Sequence, residues 1–428
     1  MTAADTGLSG IVSRRAFDLA SELLADEPVI ALQGPRTVGK STLLAELAET
    51  YGVGVIDLDD PVVRAAVAAD PGDYVGGPAP VCIDEYQHVP EILDAIKASL
   101  NRRLEPGRYV LAGSTRYDSL PPLAQSLAGR LHLMDLWPLT QCEIEGTPRP
   151  CLLEGLLSDP ETYAPRGIVS DSTREHYVAR IVAGGMPVAL ARRTVAARNR
   201  WLDDYPRLVI ERDVRELSAL RGRERLPRLF ERLAAQTANV LNIAAAASQA
   251  GLDRGTATDY LKLLEAVFLL VRLPAWGTSL LSRVGKAPKV HVVDSGVAAR
   301  LLRLTPEKLT RRDPASLSQF GHLLETFVVG ELVRQASWID GVSSCGHWRT
   351  HDGDEVDLVI ERDDGVVLAF EVKAGRRVTS TDARHLRKLR EALGERFLLG
   401  VVLHTGAHAY RVEDRLHAMP VDRLWAPV

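Results

Sequence analysis

The chain has 428 residues, 46% of them apolar and 25% charged, proportions of a globular protein too long for one core, so two to four domains are expected. Its 52 basic and 56 acidic residues leave a net charge of −4, which excludes a uniformly basic nucleic-acid coat while leaving room for a local basic groove. Four scattered cysteines form no C-x-x-C pair, no signal-peptide segment opens the sequence, and no run approaches ~18 apolar residues; neither a disulfide framework, a zinc site nor a membrane partner is signalled, and a cytoplasmic chain is expected.

From about Ile11 to Leu139 short apolar runs alternate with helical patterns, the order of a parallel α/β sheet, here with five strands. The first strand, Pro28–Leu32, runs into Gly34-Pro35-Arg36-Thr37-Val38-Gly39-Lys40-Ser41, which fits G-x-x-x-x-G-K-[ST], and a helix-forming run from Thr42 to Glu49 leaves it. Strand, loop and helix in that order are the context a phosphate loop, or Walker A motif, requires. Backbone N–H groups of such a loop cradle phosphate oxygens, and the helix turns its positive end to the same anion. Lys40 is expected at the β/γ-phosphates of ATP, Ser41 on Mg²⁺, and Thr42 completes the nucleotide-binding set.

Strands at Val53–Leu58 and Pro80–Ile83 follow, the latter ending in Asp84-Glu85 as a Walker B motif does. Asp84 is placed to hold Mg²⁺ through a water and Glu85 to polarise the attacking water. A helix at Glu91–Leu104 leads to the strand Tyr109–Ala112, after which Gly113-Ser114-Thr115 offers either a γ-phosphate sensor, Ser114, or a plain turn. Ser126-Leu127-Ala128-Gly129-Arg130 precedes the last strand, Leu131–Leu136; Arg130 can neutralise phosphoryl charge in cis or from a neighbouring subunit, or be an ordinary surface residue.

Gly146–Gly167 is rich in proline and glycine and is read as a linker or lid. Helical periodicity then runs from Ser172 to about Leu273, with two helices around Leu241–Leu261 joined at Gly251 and strands at Val267–Val271 and Pro288–Val293. That is the order of a winged helix, whose second helix, around Arg254–Leu264, serves either DNA contact or internal packing. Upstream, Arg207, Arg212, Arg215, Arg221, Arg223, Arg225 and Arg228 interleave with Glu211, Asp213, Glu216 and Glu224, so salt pairing competes with a basic patch.

From about Phe320 a second α/β unit is expected: a helix at Leu323–Gln335, strands around Val356–Ile360 and Val366–Val372, a helix near Asp382–Leu393 and a strand at Phe397–Leu403. Alternation puts Glu371 and Lys373 on one strand face, with Asp357 on a hairpin neighbour and Glu325 on the preceding helix. Glu…Asp…Glu-x-Lys matches the PD-(D/E)XK nuclease core, in which Glu325, Asp357 and Glu371 would hold one or two Mg²⁺ ions and Lys373 would position the nucleophile or stabilise the pentacovalent state. Arg384, Arg387 and Lys388 suggest either a phosphate rail or a solvated helix face.

The phosphate loop, Ile83-Asp84-Glu85-Tyr86-Gln87-His88-Val89-Pro90, Ala112-Gly113-Ser114 and Ser126–Arg130 together resemble a large group of prokaryotic AAA-type ATPases that carry a C-terminal domain of unknown function related to PD-(D/E)XK nucleases. The resemblance extends to Ala183-Gly184-Gly185-Met186-Pro187 and Val293-Asp294-Ser295-Gly296, nearly the whole chain; Thr115 departs from the usual second Ser of Gly-Ser-Ser. It implies a P-loop AAA-type domain at 1–145, a linker and helical region at 146–225, a winged-helix-like module at 226–318 and a nuclease-like α/β domain at 319–428. The expected function is a Mg-dependent ATPase coupled to a C-terminal domain that binds or processes DNA or RNA. A nucleotide-dependent switch that binds a protein partner through an inactive nuclease-like scaffold is the alternative, and a homo-oligomer stays open. A small-molecule kinase fits less well, because the Asp84-Glu85 pair suits water activation.

Overall fold

A computed structural model describes residues 10, 12–116, 127–147, 149–164, 167–217, 223–278 and 286–426. Ser126 and Arg221, singled out above, lie outside the described residues.

The first helix, α1 (Ala16–Asp26), leads into β1 (Val29–Gln33), the phosphate loop and α2 (Lys40–Thr50). Strands β2 (Val55–Asp57), β3 (Val81–Asp84), β4 (Tyr109–Gly113) and β5 (Leu131–Asp135) complete a parallel sheet of order β2-β3-β4-β1-β5, with α3 (Glu91–Arg102) before β4. Every residue of β1, β3 and β4 is buried, because helices cover both faces of a parallel sheet and leave no solvated side. Strand alternation divides them: Val29, Ala31, Ile83 and Leu111 join one core, Ile30, Leu32, Cys82 and Val110 the other. All five expected strands are present.

The segment read as a linker or lid instead carries α4 (Leu152–Ser158), whose Leu152, Leu153 and Leu156 are buried in the largest core, which runs from Cys142 to Trp425. Its leucines sit at helical spacing between prolines, so composition masked the period. Helices α5 (Arg174–Ala183) and α6 (Val195–Leu217) follow.

Next come α7 (Leu226–Ala234), β6 (Asn239–Val240), α8 (Ile243–Ala250), α9 (Arg254–Ala266), β7 (Leu270–Leu273) and, after a detour, β9 (Lys289–Val292). Asp253 caps α9 by accepting from Thr256 N–H, and β6, β9 and β7 pair as an antiparallel sheet. The expected strand at Val267 begins three residues late, since Val267 still closes α9 and Phe268 turns the chain at φ +56°. The detour is β8 (Ala275–Trp276), which joins a different sheet. Helix α10 (Ser295–Leu301) then leads to α11 (Pro314–Ala336), longer than the expected Leu323–Gln335 because Asp313 caps it ahead of Pro314.

The C-terminal sheet is mixed and has seven strands, in the order β14-β15-β13-β12-β11-β10-β8. Here β10 is Val342–Arg349, β11 Glu355–Arg362, β12 Val367–Lys373, β13 Phe397–His404, β14 Tyr410–Glu413 and β15 Leu416–Pro420. Helix α12 (Arg384–Leu393) buries Leu386, Leu389 and Leu393 as its spacing predicts. Edge strand β8 crosses the expected division at residue 318: Ala275 and Trp276 lie in register with His347 and Trp348, and the Trp276 indole donates to Glu361 (2.9 Å). Among the described residues no helix is long and apolar enough to cross a membrane.

Candidate functional site

Parallel pairing of β3, β4 and β1 brings Asp84, Gly113 and Gln33 to the same edge of the sheet, where the chain leaves each strand toward the crevice. Gly39, the residue before α2, holds φ +103°, a conformation costly for any residue with a β-carbon. It delivers Lys40 inward: Nζ donates to the carbonyls of Gly34 (2.9 Å) and Pro35 (2.8 Å), and the side chain is buried. Burial lowers the Lys40 pKa to about 8, against the pull of Glu85 and Asp84. The Ser41 hydroxyl engages Asp84, whose carboxyl is raised by burial and lowered by that hydrogen bond. Arg14, which the sequence reading passed over, ties the loop down by donating to Val38 O (3.1 Å) and Trp137 O (2.6 Å).

Glu85 sits in the left-handed region (φ +51°), which turns it off the line of β3. Its Oε2 accepts from Gln87 Nε2 and from Ser114 Oγ (3.4 Å), so the expected water-orienting acid and γ-phosphate sensor meet. Arg36 spans the same place: it donates to both Asp213 oxygens (3.1 Å), reaches Ser114 Oγ (3.4 Å) and stands 4.0 Å from Glu85. Asp213 comes from α6 and is buried; burial raises its pKa and the Arg36 guanidinium lowers it. Tyr205, one helical face along, donates to Arg36 O (3.3 Å). Pro35, Thr37, Val38 and Thr42 complete the loop and first helical turn, Val38 buried and Thr37 at φ +62°.

Arg130 does not join this group. It precedes β5 at the opposite edge of the sheet, where Leu131 is in register with Val29, and it donates to Asn101 (2.6 Å). At ~3.3 Å per strand residue that is about 15–20 Å from the loop. A role in cis is therefore corrected: the arginine inside the site is Arg36.

Beyond Ser114 the chain reaches the middle segment. Arg116 N–H donates to Ala266 O (3.0 Å), its Nε donates to Glu265 O (3.2 Å), and its guanidinium lies over the Phe268 ring at 4.2 Å. A second junction explains the two glycine motifs. Gly184 holds φ +68°, and a β-carbon there would lie 2.2 Å from Asp294 Oδ1. Asp294, fully buried, accepts from the N–H groups of Gly185 (2.6 Å), Gly296 (2.9 Å) and Val297 (3.0 Å). Arg334 of α11 joins the chain beyond the five-stranded parallel sheet to the middle segment through Leu139 O (3.1 Å) and Val293 O (2.8 Å).

The C-terminal acids do converge, but around a lysine expected only as part of the strand Pro288–Val293. Lys289 of β9 places Nζ 2.7 Å from Glu325, 2.7 Å from Glu355 and 2.9 Å from Asp357, and only 1% of its side chain is exposed. Burial works against its charge, yet Asp357, Glu325 and Glu355 outweigh burial and raise its pKa. Glu371 and Lys373 share a face and pair at 2.7 Å; burial, then Asp357, raise Glu371 to about 8. The expected open metal set of Glu325, Asp357 and Glu371 is corrected accordingly: among the described residues no three His, Cys, Asp or Glu side chains are arranged to hold a metal. On α12, Arg387 pairs with Glu413 of β14 and Lys388 with Asp354 just ahead of β11, so two of the three cations of the expected rail face acids of this chain.

Compared with known families, the chain gives three separate matches. Residues 26–145 match the AAA domain. Residues 174–308 and 320–424 match two domains of unknown function, DUF8612 and DUF4143. Downstream of the AAA domain, then, two separately matched segments meet at the Lys289 cluster. Two curated relatives are 26% identical over 97% of this chain and 85% of their own length: the uncharacterized proteins Rv2008c of Mycobacterium tuberculosis and Mb2031c of Mycobacterium bovis. Among solved structures, the Walker-type ATPase PABY2304 of Pyrococcus abyssi is 17% identical over 69% of this chain and 97% of its own, with a TM-score of 0.38. The RuvB Holliday junction branch migration motor of Thermotoga maritima is 16% identical over 64% and 94%, at 0.30. Neither overlap is close enough to carry over to this chain.

Proposed function

We propose that this protein is a Mg-dependent ATPase whose AAA domain hydrolyses ATP and whose remaining segments respond to the nucleotide state. The observation that carries the reading is the meeting of Lys40, Ser41, Asp84, Glu85 and Ser114, drawn from three neighbouring strands, at one end of the parallel sheet. The loop amides and Lys40 bind the triphosphate, Lys40 exchanging the Gly34 and Pro35 carbonyls for phosphate oxygens. Ser41 and Asp84 lie together where they would hold Mg²⁺, which supplies charge neutralisation across the β- and γ-phosphates. Glu85 orients the attacking water and takes up its proton, while Ser114 and Arg36 report the γ-phosphate.

In this reading α7–β9 is a winged-helix-like module, supported by its helix and strand order. The C-terminal sheet is nuclease-like in the placement of Asp357, Glu371 and Lys373, and the division at 145, 225 and 318 is retained with β8 lent across the last boundary. DNA or RNA is the proposed partner. A second reading, a switch that engages a protein through an inactive nuclease-like scaffold, is favoured by Lys289 among the acids. Turnover by Glu85→Gln decides the first point: ATP should still bind while hydrolysis falls at least a hundredfold, and wild-type turnover would overturn the assignment. Nicking of supercoiled plasmid with Mn²⁺, lost in Lys373→Ala, separates the two readings of the C-terminal domain.

A further inference from the structure

Two of the cysteines, nine positions apart in sequence, meet inside the largest core. Cys142 Sγ and Cys151 Sγ lie 3.1 Å apart and share a hydrogen bond, and both are free thiols. Thr140 Oγ1 stands 3.2 Å from Cys142 Sγ on its other side. The contact is held from outside the pair. Glu331 of α11 accepts from Gln141 N–H (2.8 Å), and Gln335, one helical turn on, accepts from Leu153 N–H (3.2 Å). One helix therefore fixes the backbone beside each thiol.

Between the two cysteines the chain comes to the surface: Glu145, Gly146, Arg149 and Pro150 are exposed, and Pro150 directly precedes Cys151. Cys142 is 0% exposed and Cys151 3%, so local opening of this short stretch bares Cys151 first. The hydrogen bond with Cys142 holds the Cys151 thiol below its ordinary pKa; burial opposes that shift and the Arg15 guanidinium assists it. The same hydrogen bond, and then burial, raise Cys142. Cys151 is thus the attacking thiol and Cys142 the resolving one. Cys142 lies near the end of the AAA domain and Cys151 directly precedes α4. The neighbouring Glu143 pairs with Arg14 (3.1 Å), the residue that ties down the phosphate loop at Val38 O.

We infer that Cys142 and Cys151 form an oxidative modification site: a small disulfide of the glutathione class converts them to an intramolecular cystine that clasps the end of the AAA domain to α4. The Cys151 thiolate attacks the S–S bond of the reagent, which breaks and releases one thiol. Cys142 then attacks the Cys151 sulfur and displaces the second. Two electrons and two thiol protons pass to the reagent, and one S–S bond closes the ring of residues 142–151. Neither ATP hydrolysis nor nucleic-acid binding enters the reaction.

The test uses the full chain, folded and without denaturant, and oxidised glutathione as the probe. Thiols counted after unfolding should fall from four per chain to two, and dithiothreitol should restore them. A Glu-specific protease cuts between the pair at Glu143 and Glu145, and the peptides carrying Cys142 and Cys151 should stay joined until reduced. Cys142→Ser should stop at a glutathione adduct on Cys151, whereas Cys151→Ser should react at Cys142 about tenfold more slowly or less. The wild-type thiol count and peptide pair decide the matter even if neither variant folds. Four thiols retained by the folded chain, thiol loss only in urea, or a bond through Cys82 or Cys345 would overturn the inference.

Discussion

Lys40 shows how far one residue's role follows from its setting. The spacing of the loop identified it, and the fold adds burial that lowers its pKa to about 8. Phosphate oxygens beside it favour the charged form, so its pKa is higher with ATP bound and binding takes up a proton. ATP affinity should therefore be full below pH 8 and weaken above it, by up to tenfold per pH unit, in a fluorescence titration from pH 7 to 9.5. Lys40→Ala should flatten that profile and weaken ATP binding at pH 7 by tenfold or more. Lys40, Ser41, Asp84 and Glu85 were legible because a strand, a glycine loop and a pair of acids are local patterns. Asp213, Arg116 and Lys289 were not: Asp213 meets Arg36 across 177 positions and Lys289 meets Asp357 across 68, and no period in a sequence encodes such pairs.

At the scale of elements, α6 bears on the phosphate loop through a single buried carboxylate. Asp213→Ala leaves Arg36 without its partner, and since that side chain is 17% exposed the loss should be about 2 kcal/mol, below the ~3–5 for a fully buried pair. Urea denaturation of the ATP-free protein measures it. The Gly184–Asp294 junction is stricter. Gly184→Ala puts a methyl against Asp294 Oδ1 in left-handed backbone, breaking a carboxylate that holds three N–H groups; a loss above about 2 kcal/mol is expected in the same assay. Strands β1–β5 and helices α8, α9 and α12 were legible from alternation, capping and leucine spacing. Strands β8, β10, β14 and β15 were not, because β8 has only two residues, β10 mixes buried with half-exposed positions and β14 buries none of its four.

Across the molecule, the AAA domain has its own two cores, while one core unites residues from Cys142 to Trp425. Calorimetry should resolve two transitions, and Mg-ATP at a hundred times its dissociation constant should stabilise the one belonging to the AAA domain by about 2.7 kcal/mol. A single transition displaced as a whole would contradict that division. ATPase rates with single-stranded DNA, duplex DNA and RNA would show stimulation by whichever the outer segments bind. The lent strand β8 has a practical corollary for dissecting the protein. A fragment cut at residue 319 would lose Ala275 and Trp276, baring the flank of β10 and opening an indole-sized hollow beside Glu361. Such a fragment offers unpaired main-chain groups to its own copies and should clump; one that starts ahead of Leu270 keeps its seam closed.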